Sequence, residues 1–412
     1  MREMKDSGFE WLGDIPNHWN LTRIGNLYRV RNQKVSDKDF PPLSVTMKGI
    51  LPQLETAAKT NDGDNRKLVR VGDFAINSRS DRRGSCGISS LDGSVSLINT
   101  VLMPLSEMNP QYYNWLFHTI QFADEYYKCG HGIVDDLWTT TWQEMKKIVI
   151  PTPPINEQER IASYLDSKCA EIDDLIADIQ AEIDTLEQYK RSQIAEAVTR
   201  GLASKETLKE SGLAWIGNIP NHWKIMPNKY LMKKLKLIQP VYAGEDIISL
   251  TVNGVIKRDL ENPSGKMPAS FDGYQFVYPG NLLMCLFDID VTPRCIGLIK
   301  DFGLTSPAYS QFVLNSKADA GYYYYYYLNL DFNKDLLHLA KNQRHSLNEE
   351  QFGAIPTVVP PIEEQKAVAA YLDEKCAEID GCIAAKKEQI STLEAYKKSV
   401  IFEYVTGKKE VE

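Results

Sequence analysis

Two stretches of the chain repeat apolar residues at alternating spacings of three and four. The first series is Leu165, Cys169, Ile172, Ile176, Ile179, Ile183 and Leu186, and the second is Leu372, Cys376, Ile379, Ile383, Ile390 and Leu393. Lys386 interrupts the second series. Such spacing places one narrow apolar seam along a helix, as in a coiled coil. The pattern therefore predicts two long helices that pair through their seams.

Prolines and glycines mark the ends of both predicted helices. Pro153-Pro154 and Pro360-Pro361 stop the preceding strands, and Gly201 and Gly407 provide stops at the far ends. The 43 residues of 157–199 would form a rod of about 64 Å at ~1.5 Å per residue. No domain needs a helix of this length for its own core. Its predicted role is spacing or assembly.

The remaining segments have short apolar runs between Gly, Pro, Asn and Asp, the pattern of strands joined by turns. Residues 112–122 and 332–340 are predicted to be helical. The six consecutive tyrosines at 322–327 cannot all face a ligand from a helix or a strand. We therefore expect part of this run to lie in a domain core, and each large segment to be a mixed α/β domain.

A tandem repeat organises the chain. Residues 7–19 recur as 211–223 with nine of thirteen positions identical, and 153–190 recur as 360–397 with 23 identities in 38. A repeat on this scale defines the architecture of a protein.

The predicted fold is α+β, with two globular α/β domains joined by two long antiparallel helices around a pseudo-two-fold axis. The expected segments are 1–152 (first globular domain), 153–204 (first long helix), 205–359 (second globular domain) and 360–412 (second long helix). The C-terminal tail and the N-terminal arm together correspond to the linker between the halves, so the two termini are expected to lie near each other.

Composition and charge refine this picture. The chain has 412 residues and a net charge of −8, and the acid excess belongs to the two helical segments, which leaves the globular segments close to neutral. No apolar run approaches the ~18 residues of a membrane span. Seven cysteines without metal-ligand spacing fit reduced thiols, so we expect a cytoplasmic protein.

Sequence motifs of catalysis are missing. The sequence has no phosphate-binding GxxxxGK[ST], no GxGxxG, no [DNS]PP[YF] and no HExxH or zinc spacing. We therefore predict a non-catalytic subunit with no catalytic residue, no metal site and no cofactor of its own.

The duplicated motifs resemble those of the specificity subunit of Type I restriction-modification systems. They are Pro153–Gln158 with Tyr164-Leu165-Asp166, Pro360–Gln365 with Tyr371-Leu372-Asp373, and the two tryptophan-flanked segments at 11–19 and 215–223. The resemblance covers essentially the whole chain. It implies two target-recognition domains that each read half of a split asymmetric DNA site. It also implies helices that set the spacer and bind two methyltransferase subunits, through which motor-nuclease subunits join. S-adenosylmethionine, ATP and Mg would then be bound by those partners.

Polar loops supply the candidate DNA contacts, because arginine, lysine and amide side chains bind base edges or phosphates. The candidates are Asn77, Arg79, Ser80, Arg82, Arg83, Asn253, Lys257, Arg258, Arg294, Lys341, Gln343 and Arg344. For each group an ordinary solvated loop is the competing explanation. The paired tryptophans lie in the segment that leads into each globular domain, which we call the entry arm (11–19 and 215–223). They are expected to pack this arm against a helix end.

Two other functional classes remain open from the sequence. One is a fused methyltransferase or nuclease with a diverged site, which would methylate DNA without partners. The other is a coiled-coil adaptor without DNA affinity, whose binding to specific duplexes would not survive salt and competitor.

Overall fold

The computed structural model describes residues 2–55, 62–105, 108–132, 138–203, 206–263, 265, 267–340 and 345–411. The chain divides into two compact units, which we call unit 1 (residues 1–179 and 387–412) and unit 2 (residues 180–386). Each unit therefore contains one globular part and a portion of each long helix.

The described residues of unit 1 before the first long helix form thirteen short strands and four helices. They are β1 (Met4–Asp6), β2 (Asp14–Pro16), β3 (Asn20–Arg23), α1 (Ile24–Leu27), β4 (Tyr28–Val30), β5 (Lys34–Val35), β6 (Leu43–Thr46), β7 (Gly49–Pro52), β8 (Arg66–Val69), β9 (Phe74–Asn77), β10 (Cys86–Ile88), β11 (Gly93–Val95), β12 (Asn99–Pro104), α2 (Pro110–Phe117), α3 (Ile120–Lys128), α4 (Trp142–Met145) and β13 (Val149–Thr152).

The strands of unit 1 form antiparallel sheets around an aromatic core. One sheet has the order β10-β9-β12-β4, a second has β11-β8-β5, and pairs are formed by β6-β7, β1-β2 and β13-β3. Tyr28, Phe74, Phe117 and Phe122 are buried together between the four-stranded sheet and α2 and α3. The predicted helix at 112–122 is thus two helices, because α2 ends at Phe117 and Thr119, in an extended conformation, accepts a hydrogen bond from Phe122 N as the N-cap of α3.

Unit 2 repeats this plan with different loops. Its elements are β14 (Leu208–Glu210), β15 (Asn218–Pro220), β16 (Lys224–Pro227), β17 (Met232–Leu235), β18 (Ile248–Thr251), β19 (Gly254–Lys257), β20 (Gln275–Val277), β21 (Leu282–Met284), β22 (Ile296–Leu298), β23 (Gly303–Thr305), β24 (Ser310–Leu314), α6 (Ala320–Phe332), α7 (Glu349–Ala354) and β25 (Pro356–Val359). The sheet order β17-β24-β21-β22 matches β4-β12-β9-β10 of unit 1, and the hairpin β18-β19 matches β6-β7.

The tyrosine run lies in the helix α6. Five of its six side chains are buried, all except Tyr324, which confirms the expected burial. Helix α6 starts at the N-cap Asp319, whose side chain accepts from Tyr322 N. The prediction of a helix at 332–340 was wrong, because α6 ends at Phe332 and only a 3₁₀ turn, Asp335–Leu339, follows. Lys334 adopts a left-handed conformation with φ of 54° and separates the two.

The two long helices are α5 (Ile155–Arg200, 46 residues) and α8 (Ile362–Val405, 44 residues), as the apolar spacing predicts. Ion pairs show that they run antiparallel: Asp173 lies 2.6 Å from Lys397 in unit 1, and Lys190 lies 2.6 Å from Asp380 in unit 2. Both helices end at a glycine with positive φ, Gly201 at 73° and Gly407 at 72°.

The seam residues are enclosed to different degrees. Leu165, Ile172, Ile183, Leu372, Ile379 and Ile383 are buried, and Ile176, Ile179, Leu186, Ile390 and Leu393 are half-buried. Cys169 and Cys376 occupy matched buried positions as free thiols. Burial raises the pKa of Cys169 to about 11, so this thiol is neutral and serves packing. No helix in the described part of the chain is long and apolar enough to cross a membrane.

Candidate nucleic-acid interface

The basic loop of unit 1 follows strand β9. Asn77 closes that strand with its side chain buried, and its Oδ1 accepts a hydrogen bond from Arg79 N at 3.1 Å. Tyr127 donates its hydroxyl to Arg79 O at 2.8 Å. Ser80 then begins a 3₁₀ turn that ends at Arg82. These bonds fix the loop backbone and leave the Arg82 side chain 66% exposed, with Asp81 at 3.6 Å as its ion-pair partner.

Arg83 is held more firmly than Arg82. Its guanidinium forms an ion pair with Asp124 and lies 5.7 Å from the ring centroid of Tyr127. Burial raises the pKa of Tyr127, although the charge of Arg83 opposes that rise. Both groups of the ion pair remain about half exposed, so Arg83 can still reach an anion.

The first candidate cluster of unit 2 surrounds the hairpin β18-β19. Asn253 lies exposed at its tip, where Asn253 N donates to Thr251 Oγ1 at 3.2 Å. Lys257, at the end of β19, pairs with Asp246 at 2.7 Å, with both side chains about half exposed. Arg258 N donates to Ile247 O at 2.8 Å, which anchors the backbone directly after the hairpin.

Arg294 is bound by the protein itself. Its Nε donates to Ile296 O at 3.1 Å, its Nη1 to Val252 O at 3.1 Å and its Nη2 to Tyr324 Oη at 2.6 Å. The guanidinium therefore ties the hairpin tip to strand β22 and helix α6. The remaining candidates, Lys341, Gln343 and Arg344, lie outside the described residues.

The hairpin tips of the two units match, although only the tip of unit 2 contains a residue predicted from the sequence to contact DNA, Asn253. Thr46 and Gly49 frame the tip in unit 1 as Thr251 and Gly254 do in unit 2, with the threonine hydroxyl donating to the glycine carbonyl at 2.9 and 3.0 Å. Lys48 of unit 1 corresponds to Asn253, and its neighbour Met47 is 72% exposed. The recurring Thr-x-x-Gly spacing was the signal that could have identified Lys48.

A second set of contacts fastens each globular part to a long helix. In unit 1, Glu157 in the first turn of α5 accepts from Trp19 Nε1 at 3.1 Å and from Arg2 at 2.7 Å, and His18 Nε2 lies 2.7 Å from it. We call these four residues the Glu157 cluster. Trp19 is fully buried beside Gly407, which confirms that the arm packs against a helix end.

Unit 2 has the corresponding Glu364 cluster, formed by Glu206, His222, Trp223 and Glu364. Trp223 Nε1 donates to Glu364 Oε2 at 2.9 Å, and His222 Nε2 lies 2.8 Å from Oε1 of the same carboxylate. Glu206 takes the position of Arg2 and lies 3.0 Å from His222 Nδ1.

The glutamine that follows each of these glutamates positions the neighbouring domain helix. Gln158 accepts from the N-cap residue of α2, Asn109 N, at 2.9 Å, and Gln365 accepts from the N-cap residue of α6, Asp319 N, at 2.8 Å. Both glutamines are buried and donate to the first proline of their motif, Pro153 or Pro360, at 2.8 Å. These bonds satisfy backbone groups that would otherwise be buried without partners.

The aspartate of each Tyr-Leu-Asp motif adds a third attachment. Asp166 accepts from Trp115 Nε1 and Asp373 accepts from the hydroxyl of Tyr325, each at 2.8 Å. The first tyrosine of each domain helix reaches the opposite long helix: Tyr112 donates to Val405 O at 2.6 Å, and Tyr322 donates to Val198 O at 2.9 Å. The repeated motif thus holds each domain helix against both long helices of its own unit.

The chain termini meet within unit 1, as expected from the repeat. Arg2 lies 3.3 Å from Glu410, and Lys408 donates to the carbonyl of Leu12. Across the described residues, no group of three or more His, Cys, Asp or Glu side chains is placed to bind a metal ion.

Comparison with known proteins gives a consistent result. No family model matches the chain. The chain is 25% identical to the protein named the specificity subunit of the Type I restriction enzyme MjaVIII of Methanocaldococcus jannaschii, over 96% of this chain and 93% of that protein. This chain is a homologue of the Type I restriction enzyme specificity subunits.

Solved structures support the same fold. A chain from a study of complex assembly and conformational transition in the type I R-M system has a TM-score of 0.72 at 13% identity, covering 96% of this chain and 99% of that one. The HsdS subunit from Thermoanaerobacter tengcongensis has a TM-score of 0.50 at 15% identity, covering 96% and 98%. These structures share the fold, while sequence homology to proteins named specificity subunits supports a DNA-recognition subunit that is not itself an enzyme.

Proposed function

We propose that this specificity subunit homologue reads a bipartite, asymmetric DNA site within a Type I restriction-modification complex. Residues 1–152 and 205–359 are its two target-recognition domains, and each domain reads one half of the site. Two readers on one chain make the second contact effectively intramolecular, so two modest half-site affinities combine.

The observation that carries this proposal is that the attachment to the long helices recurs in both units while the exposed loops differ. Glu157, Gln158 and Asp166 bind the same parts of the fold as their counterparts in unit 2: the tryptophan of the arm, the N-cap residue of the domain helix, and an aromatic side chain of that helix. The loops differ, since Lys48 stands where unit 2 has Asn253. Two domains that read different DNA sequences need the same attachment to the long helices but different exposed loops.

The long helices set the spacer and bind two methyltransferase subunits. Matched tyrosines, Tyr189 and Tyr396, are 44% and 47% exposed on them, and aromatic side chains are enriched at protein interfaces. Two equivalent surfaces fit two copies of one partner. Motor-nuclease subunits join through the methyltransferases, and S-adenosylmethionine, ATP and Mg bind to these partners.

Domain exchange followed by methylome sequencing tests the assignment of the readers. Replacing 205–359 with a divergent copy should change one half of the methylated motif and leave the other half intact. The matched control replaces 1–152 and should change the opposite half. Changes in both halves from one exchange would contradict the proposal, and methylation by the purified chain alone would favour a fused methyltransferase. A chain without salt-resistant specific binding would favour the adaptor.

Matched insertions test the spacer. Because α5 and α8 pair antiparallel, seven residues should be inserted into both helices, within 178–185 and 385–392. Seven residues add about 10 Å at ~1.5 Å each, or about three base pairs at ~3.4 Å. The spacer should lengthen by about that amount with unchanged half-sites. An unchanged spacer would contradict the proposed role of the helices.

A further inference from the structure

Lys386 is the residue that breaks the apolar seam of α8. The repeat aligns it with Ile179 of α5, and it aligns Glu182 of α5 with Gln389 of α8. In unit 2 the ammonium of Lys386 contacts the carboxylate of Glu182. This ion pair therefore joins two positions at which the two halves of the chain differ.

The other ion pairs between the helices join positions at which the halves are the same. Asp173 pairs with Lys397 in unit 1, and Lys190 pairs with Asp380 in unit 2. The repeat aligns Asp173 with Asp380 and Lys190 with Lys397. Either helix thus carries both members of this pair.

These two kinds of pair respond differently to a change of partner. If α5 paired with a second α5 in the same register, Asp173 would still face a lysine, whereas Glu182 would face Ile179. If α8 paired with a second α8, Asp380 would still face a lysine, whereas Lys386 would face Gln389. We infer that the Glu182–Lys386 pair selects pairing between the two unlike halves of the chain over self-pairing of either half.

Burial strengthens the preference on the lysine side. The side chain of Lys386 is 28% exposed in its ion pair, so self-pairing would leave a partly desolvated ammonium opposite an amide. Charged residues beside an apolar seam are a common determinant of partner choice in coiled coils.

An ion pair between the two ends of the chain also favours pairing of the unlike halves. Arg2 pairs with Glu410 at 3.3 Å, and the repeat places Glu206 at the position of Arg2 and Ala203 at that of Glu410. Self-pairing of the second half would bring Glu206 toward Glu410, and self-pairing of the first would leave Arg2 facing Ala203. Like charges brought together disfavour the wrong partner.

This selection has a consequence if the two domains read unlike half-sites, as proposed above. Self-paired halves would present two identical readers and would recognise a symmetric site. Pairing of the halves does not require DNA. Halves that pair without preference would leave the proposed function intact, and a chain that reads no DNA could still pair its unlike halves.

The test uses the full chain with a protease site inserted after Ala203. After cleavage, the halves are dissociated in urea, allowed to re-pair and counted by native mass spectrometry as unlike and like pairs. The measured ratio is the square of the unlike-pair concentration divided by the product of the two like-pair concentrations. The variant E182Q/K386I gives both helices isoleucine and glutamine at the matched positions. Each unlike pair contains one Glu182–Lys386 ion pair, and the ratio contains the square of the unlike-pair concentration. Loss of this ion pair therefore counts twice, and we expect the ratio to fall by about two- to thirtyfold.

The matched control is K190Q/K397Q. It removes the lysine–aspartate ion pairs that occur in the unlike pair and in both like pairs. It should therefore weaken all three pairings and leave the ratio unchanged. An unchanged ratio in E182Q/K386I, or an equal fall in the control, would overturn the inference.

A second measurement uses the uncut chain and decides the matter if the cleaved halves fail to re-pair. E182K and K386E should each lower the urea midpoint of unfolding, and the double exchange E182K/K386E should restore most of it. A double exchange that is no more stable than the single variants would show that the two charges are not coupled, and would overturn the inference.

Discussion

The Glu157 and Glu364 clusters use the same glutamate, tryptophan and histidine but differ in the charge beside them. In unit 1, the guanidinium of Arg2 binds Glu157, whose side chain is only 11% exposed. In unit 2, Glu206 stands in place of Arg2, and the side chain of Glu364 is 41% exposed. The geometry of the attachment has been kept while its electrostatics have changed.

This difference distinguishes the geometry of the attachment from its strength. The hydrogen bond from the buried tryptophan fixes the direction of the arm, and it is present in both units. The surrounding charges set how strongly the carboxylate is held, because exposed ion pairs contribute little and enclosed ones cost more to break. The two clusters should therefore have similar shapes and unequal strengths.

Removing the central carboxylate should have the largest effect and should expose that inequality. E157A leaves the buried N–H of Trp19 and the enclosed guanidinium of Arg2 without this acceptor, so we expect a loss of about 2–4 kcal/mol in the free energy of unfolding. E364A should cost about 1 kcal/mol, since water can reach that site. Urea-induced unfolding measures both. The control E159A changes an exposed neighbour and should have little effect, while equal losses for E157A and E364A would refute the comparison.

Arg83 lies shortly before strand β10 and Arg294 shortly before the matching strand β22, and these two arginines should also differ in how much they contribute to stability. R294A removes three hydrogen bonds that join the hairpin tip to β22 and α6, so it should cost about 1–3 kcal/mol. R83A removes a half-exposed ion pair and should cost less than about 1 kcal/mol. Thermal unfolding measures both losses. If R83A proved the more destabilising of the two, the bonds of Arg294 would not be structural supports.

The long helices could be predicted because their apolar spacing persists over 22 residues in each, 165–186 and 372–393, and local periodicity is the strongest signal in a sequence. The break between α2 and α3 escaped prediction because it depends on Thr119 acting as a cap. The tyrosine run could be assigned to a core, yet its helix could not be distinguished from a strand by composition alone.

The attachment residues could be recognised as a motif but not explained. Glu157 binds Trp19, which lies 138 positions away, and such contacts leave no local pattern. Arg294 was predicted to contact DNA because arginine is suited to that role. Its guanidinium instead donates three hydrogen bonds to the protein itself. Charge identifies candidates, and only the fold decides which of them face outward.

The pH dependence of the stability of unit 1 should show that its hydrogen bonds stabilise the ionised carboxylate of Glu157. Burial alone would raise the pKa of Glu157, but hydrogen bonds from His18, Trp19 and Arg2 outweigh it and lower that pKa below 4.5. A carboxyl with a lowered folded-state pKa stabilises the fold above its unfolded pKa and loses that contribution as the pH falls through the folded value. Unfolding followed from pH 6 to pH 2 should show this loss below about pH 4.5. E157Q should remove that part of the slope, and an identical slope in E157Q would contradict the assignment.

Transplanting the cation of unit 1 into unit 2 should give the smallest effect. E206R places a guanidinium at the position that Arg2 occupies in the repeat, where it can bind Glu364. The exchange also removes the contact of Glu206 with His222 at 3.0 Å, so the net gain should be about 0.5 kcal/mol. E206Q is the matched control, because it deletes the carboxylate without adding a cation and should not stabilise unit 2. The gain should shrink in high salt, since the pair is exposed. If E206R were instead no more stable than E206Q, the two clusters would differ in geometry as well as in charge, and the strength of the Glu157 cluster could not be attributed to Arg2.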